Sequence, residues 1–142
     1  WTAAGQPLAR LVCLGSDEAL RRSPAYRCVL EELSRLFAVR PARSLANLYR
    51  DGEDWCSLHC DPYDSCDIDF TVAASFGETR TLTFAERRVP AEQRPLEFEL
   101  PQRNGDVLAF GEALNSQWLH GVPRARRALG ERISVLLWGR RE

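Results

Sequence analysis

Three residues in this chain have the types and spacing to hold a reactive metal. His59 and Asp61 stand two apart in NLYRDGEDWCSLHCDPY, just after the turn-forming Asp51-Gly52, and His120 lies far downstream in SQWLHGVP. There are only two histidines. A spacing of two puts His59 and Asp61 on one face of an extended chain. If His120 met them across two sheets, two imidazoles and one carboxylate would cover one face of an octahedral metal. The remaining positions would stay open, as an iron(II) that binds a co-substrate and dioxygen requires. A structural zinc site would instead close its shell, and Cys56, His59, Cys60 and Cys66 form a rival set of soft ligands. Their spacing does not match paired C-x-x-C knuckles. H-x-D also arises by chance, and a lone distant histidine also serves purely structural ends.

The elements that must position these residues are legible in outline. Ser23 and Pro24 suit the cap and first turn of a helix. Tyr26, Val29, Leu30, Leu33, Leu36 and Phe37 then follow helical spacing, which predicts an amphipathic helix over 24–38. Residues 1–22 read as an irregular or partly extended lead-in. Strands are predicted over 44–50, 69–76, 79–84, 95–100, 106–110, 116–122 and 132–138. The turn-like Gly77-Glu78 suggests that 69–76 and 79–84 pair as a hairpin. One helix followed by several short strands predicts a mainly β fold with a flanking helix, a β-sandwich or jelly roll. The expected organisation is one domain over 1–142, with 1–40 as lead-in and helix and 41–142 as the jelly-roll core.

Composition narrows the context. The net charge of −1 favours no nucleic-acid partner and excludes none. All 19 basic residues are arginine, which meets carboxylate or phosphate bidentately. Arg124, Arg126 and Arg127 form a basic cluster that could meet phosphates, or simply a solvated loop. Five cysteines suggest no disulfide framework and favour a reducing compartment, nucleus or cytoplasm. No run is apolar and long enough to span a membrane. A chain that opens on Trp1 and has no methionine reads as an excised domain, expected to be monomeric.

Several segments fall into one order. NLYRDGEDWCSLHCD, VAASFGETRTLTF, GDVLAFGEALNSQWLHGVP and ERISVLLW together resemble the AlkB family of iron(II)- and 2-oxoglutarate-dependent dioxygenases, over about residues 24–141. The resemblance implies a double-stranded β-helix. It implies His59, Asp61 and His120 as iron ligands, and Asn47, Tyr49, Arg132 and Ser134 around 2-oxoglutarate, with Arg132 on its distal carboxylate. It further implies that dioxygen and 2-oxoglutarate are consumed, and that N-alkyl groups are removed oxidatively from nucleobases in DNA or RNA. Trp55, Tyr63, Asp64 and Trp118 are the candidate substrate contacts. The alternatives are an oxygenase of the same fold acting on protein or another small substrate, and a catalytically silent nucleic-acid-binding module.

The chain also departs from that family. Its last strand usually carries a second arginine where Trp138 stands here. Arg140 is expected to substitute if the chain bulges at Gly139. Only about forty residues precede the barrel here, so the segment that grips nucleic acid in relatives is expected to be trimmed or reduced.

Overall fold

A computed structural model describes residues 10–63, 67–90 and 92–142. Strand β1 (Leu11–Leu14) and helix α1 (Asp17–Arg22) lie in the predicted lead-in, which is therefore more ordered than its sequence suggests. β1 shows no alternation because all four of its residues are exposed at a sheet edge. α1 is short, but Ser16 caps Ala19 N, acids fill its first turn and arginines its last. Helix α2 (Pro24–Phe37) matches the predicted helix. Ser23 Oγ accepts from Tyr26 N at 3.2 Å, and Ala38 closes the far end in the left-handed region.

The strands are β2 (Val39–Tyr49), β3 (Cys56–His59), β4 (Phe70–Gly77), β5 (Arg80–Glu86), β6 (Glu97–Gln102), β7 (Val107–Gly111), β8 (Trp118–Val122) and β9 (Arg132–Arg141). They form a major sheet in the order β1-β2-β9-β4-β7 and a minor sheet in the order β3-β8-β5-β6, antiparallel throughout. The architecture is mainly β with flanking helices, the expected double-stranded β-helix.

Alternation divides the major sheet into two chemistries. One face carries Val72, Ala74, Val135 and Leu137, which pack under Tyr26, Leu30 and Leu33 of α2. Burying Leu137 to 1% exposure contributes roughly 1.5–3 kcal/mol. The opposite face carries Asn47, Tyr49, Thr71, Ser75, Arg132 and Ser134, polar residues that are all buried. They look across a cavity toward the minor sheet. A bulge between Pro41 and Arg43 lets Val39 join the helix-side core while Asn47 and Tyr49 face the cavity.

Two expectations are corrected. The hairpin of 69–76 with 79–84 does not form: β4 pairs with β7 and β9, whereas β5 pairs with β6 and β8. Gly77, at φ 89°, turns the chain out of one sheet and into the other, and a Cβ there would lie 2.4 Å from the Glu131 carbonyl. The strand expected over 116–122 begins only at Trp118, because 112–117 wind into helix α3 (Glu112–Gln117).

Candidate active site

The triad assembles through strand register. His59 on β3 and His120 on β8 are cross-strand partners with ring centroids 4.5 Å apart. Gly121 permits this approach, since a Cβ would meet the Cys56 carbonyl at 2.7 Å. Asp61 follows β3 by two residues and turns Oδ1 toward both rings, 3.8 Å from His59 Nε2 and 3.6 Å from His120 Nε2. One ligand atom from each residue falls within 4.8 Å of the others.

The neighbours of these groups fix their orientation. Thr71 Oγ1 donates to Asp61 Oδ2 at 2.7 Å, which leaves Oδ1 facing the histidines. Tyr63 OH lies 2.7 Å from Thr71 Oγ1; because the threonine proton goes to Asp61, the tyrosine must donate. Asn115 of α3 accepts from Asp61 N at 2.8 Å and donates to Asp61 O at 2.9 Å. His59 Nδ1 meets the Ser57 carbonyl at 2.8 Å, which assigns it as the N–H and leaves Nε2 as the lone-pair nitrogen in the neutral ring. Burial pushes the Asp61 carboxyl up, but hydrogen bonding and charge from His120, then Thr71, outweigh it and hold the group below its usual value. His59 is raised to about 8, first by Cys56 beside its Nδ1, against the opposing effect of burial.

The other end of the cavity holds an unsatisfied charge. Tyr49 pairs with Arg132 and Asn47 with Ser134 across β2 and β9, so all four share one face. Arg132 is 3% exposed. Its Nη2 donates to Ser75 Oγ at 2.8 Å, while Nε and Nη1 have no partner. Among the described residues no carboxylate pairs with it. The Tyr49 ring lies 5.2 Å from its guanidinium carbon. Burial lowers the arginine's pKa and raises that of Tyr49 to about 12. A buried cation with two idle donor groups is costly unless an anion meets it. This is the feature that fits a carboxylate co-substrate. Asn47 Oδ1 accepts from Arg10 Nε at 2.8 Å. The cavity between the triad and Arg132 measures about 80 Å³, small beside the roughly 300–1,000 Å³ of drug-sized pockets. It suits a compact molecule rather than a nucleotide.

The candidate substrate contacts fare unequally. Trp118 shares the strand face of His120 two residues on and lies edge-on to Phe98 at 5.0 Å, but it is outside the cavity lining. Trp55 sits outside the cavity lining, under Arg124 at 5.7 Å. Tyr63 commits its hydroxyl to Thr71, so it braces the metal-side carboxylate from behind rather than offering a free face to a base. Asp64 and Cys66 lie outside the described residues. Among the described residues the rival zinc set is not assembled. Cys56 approaches His59, but Cys60 Sγ points to the Trp118 carbonyl at 3.7 Å. Arg140 does not replace the missing arginine: it pairs with Asp67 at the surface, and the bulge lies in β2 rather than at Gly139. Trp138 itself lines the cavity. Sequence reasoning missed Thr71, Asn115 and Arg80. Only Thr71 left a signal, as a polar residue on the buried face of an apolar strand.

The family model of the 2OG-Fe(II) oxygenase superfamily matches residues 15–137. None of the curated proteins matches the chain. Among solved structures, OsALKBH1 superposes with a TM-score of 0.52 at 18% identity, covering 83% of this chain. The chain spans 64% of OsALKBH1's length. A prolyl-4-hydroxylase from Pseudomonas putida gives 0.48 at 16% identity, covering 94% of this chain and 73% of that one. An oxidoreductase of the 2OG-Fe(II) oxygenase family from Burkholderia pseudomallei gives 0.45 at 21% identity, covering 77% and 48%. Superfamily members use iron(II), 2-oxoglutarate and dioxygen, for which the triad and the unpaired arginine offer complementary ends of one cavity. With the family model matching from Gly15 to Leu137, this chain belongs to the 2OG-Fe(II) oxygenase superfamily.

Proposed function

We propose that this protein oxidatively removes N-alkyl groups from nucleobases in DNA or RNA. The observation that carries the dioxygenase reading is the pairing of an open His-Asp-His face with a buried, partnerless arginine across a cavity too small for a nucleotide. His59, Asp61 and His120 would hold the iron. Arg132 binds the distal carboxylate of 2-oxoglutarate, flanked by Tyr49, Asn47 and Ser134 on the same sheet face.

When bound, iron(II) and 2-oxoglutarate would supply the oxidising power to hydroxylate the N-alkyl carbon with dioxygen, with succinate and carbon dioxide as co-products. A hydroxylated N-methyl then breaks its C–N bond, releasing formaldehyde and the bare nitrogen. The protein's own residues hold and orient. Thr71, Tyr63 and Asn115 fix Asp61, and Ser57 fixes the tautomer of His59. Phe84 and Phe110, packed around His120, keep that side of the site dry.

A nucleobase is favoured by the four ordered AlkB-like motifs and by Trp118, whose ring lies edge-on to the partly exposed Phe98 on the strand that carries His120. A flipped base would stack there. The free thiols among the described residues suit a reducing compartment, nucleus or cytoplasm, and the chain is proposed to act as a monomer. No helix among the described residues is long and apolar enough to cross a membrane.

The test is iron-dependent succinate formation with a panel of N-methylated oligonucleotides, alongside His59→Ala. Turnover that rises with one oligonucleotide and disappears in the variant is expected. Turnover stimulated only by a peptide would move the substrate to protein. Absence of succinate with every substrate would leave a silent binding module.

A further inference from the structure

The inner face of β9 presents Arg132, Ser134, Leu136 and Trp138 to the cavity. Two of the four carry buried N–H groups without an acceptor: Arg132 at Nε and Nη1, and Trp138 at Nε1. They occupy opposite ends of the strand's cavity face. Trp138 is the cross-strand partner of Thr71, and Thr71 holds Asp61, so Trp138 belongs to the metal end. There Asp61 Oδ2 is taken by Thr71, and Oδ1 faces the imidazoles. The indole N–H lies close enough to this carboxylate to help hold its pKa down, yet it makes no hydrogen bond of good geometry to it.

A buried donor in that state awaits an acceptor. 2-Oxoglutarate carries a carboxylate at each end. With its distal carboxylate on Arg132, its keto-acid end lies toward the triad. We propose that Trp138 Nε1–H donates to the metal-side carboxylate of 2-oxoglutarate, so that a neutral donor serves the end of the co-substrate opposite Arg132. The inference rests on the dioxygenase reading above. Arg10, the other arginine lining the cavity, donates to Asn47 across from Ser134, and Arg140 is engaged with Asp67 at the surface. The near carboxylate is therefore held by the metal and a single neutral hydrogen bond.

The test uses protein labelled with nitrogen-15 at its indoles and loaded with zinc(II), a redox-silent stand-in for iron. Trp138→Phe keeps an aromatic ring but removes the N–H, and its spectrum identifies the Trp138 resonance. That resonance should move when 2-oxoglutarate is added and stay put on zinc alone. Calorimetry should show 2-oxoglutarate bound about tenfold more weakly by Trp138→Phe, the loss expected for one hydrogen bond to an ionised acceptor. Arg132→Ala separates this inference from the reading beneath it. If Arg132→Ala loses 2-oxoglutarate while Trp138→Phe binds like wild type with an unmoved indole, the Trp138 role is wrong and the dioxygenase reading stands. A resonance that shifts fully on zinc alone would make Trp138 a support for Asp61 and overturn the proposal. Failure of wild type to bind 2-oxoglutarate would overturn both.

Discussion

Two buried arginines flank the same tyrosine, and they have opposite lives. Arg80 and Arg132 stand 5.3 Å and 5.2 Å from the Tyr49 ring, and both are almost wholly buried. Arg80 spends its donors on the carbonyls of Asp51, Asp54 and Pro123, at 2.7–2.8 Å. It ties the loop before β3 to the loop after β8, and so fixes the strands that carry His59 and His120. Arg132 lies against the Tyr49 ring and donates to Ser75, but two of its nitrogens have no acceptor. Burial alone therefore does not mark a binding residue. Burial without satisfaction does, because the fold tolerates the cost of an unpaired charge only where something else removes it.

Substitution should separate the two sharply. Arg132→Met is expected to weaken 2-oxoglutarate binding at least a hundredfold by calorimetry, the order expected when one partner of a buried charge pair is lost. The same change should raise the stability of the unliganded protein by about 1 kcal/mol or more in urea unfolding, since it deletes an uncompensated charge. Arg80→Met should do the reverse. Three carbonyls lose their donor at roughly 1–3 kcal/mol each, so unfolding should come at least about 3 kcal/mol more easily. Equal effects of the two substitutions on both readouts would erase the distinction.

Smaller effects sharpen the metal end. Thr71→Val keeps the shape and removes the hydroxyl that orients Asp61. Metal affinity should fall about 10–100-fold, as for other residues that orient a ligand, with far-UV circular dichroism unchanged. The smallest effect concerns the loop that Arg80 ties down. Arg50 donates to both oxygens of the Asp54 carboxylate and holds it below the ordinary carboxylate range. A depressed folded-state pKa adds stability that is complete above the unfolded value, about 3.9, and is lost as pH falls through the folded value. Asp54→Asn should flatten the acid limb of the stability profile in that window and leave the slope near neutral pH unchanged.

The difference between the arginines was only half visible in the sequence. Arg132 could be singled out because it sits in a strand of the AlkB-like pattern, and Asn47 and Tyr49 because alternation places them together. His59, Asp61 and His120 were legible from residue type and spacing. Arg80 also stands in a motif of that pattern, but its bracing role left no mark, since its partners are backbone carbonyls from two distant loops. Asn115 was hidden for a related reason: it fell between two expected strands, and only α3 brings it to Asp61. The Gly77 turn misled because a turn specifies a change of direction, not a partner. β4 and β5 find theirs on strands far along the chain. The surface pairing of Arg140 with Asp67 likewise depends on a contact between residues 73 positions apart.

The most direct test of the account is to measure succinate and formaldehyde together. Purified protein, iron(II) and 2-oxoglutarate would be mixed with an N-methylated oligonucleotide, using wild type and Arg132→Met. Equal amounts of the two products from wild type, and neither from the variant at the same 2-oxoglutarate concentration, is the predicted result. Succinate and formaldehyde formed undiminished by Arg132→Met would contradict the assignment of that arginine to the co-substrate. Absence of both products from wild type would contradict the dioxygenase itself.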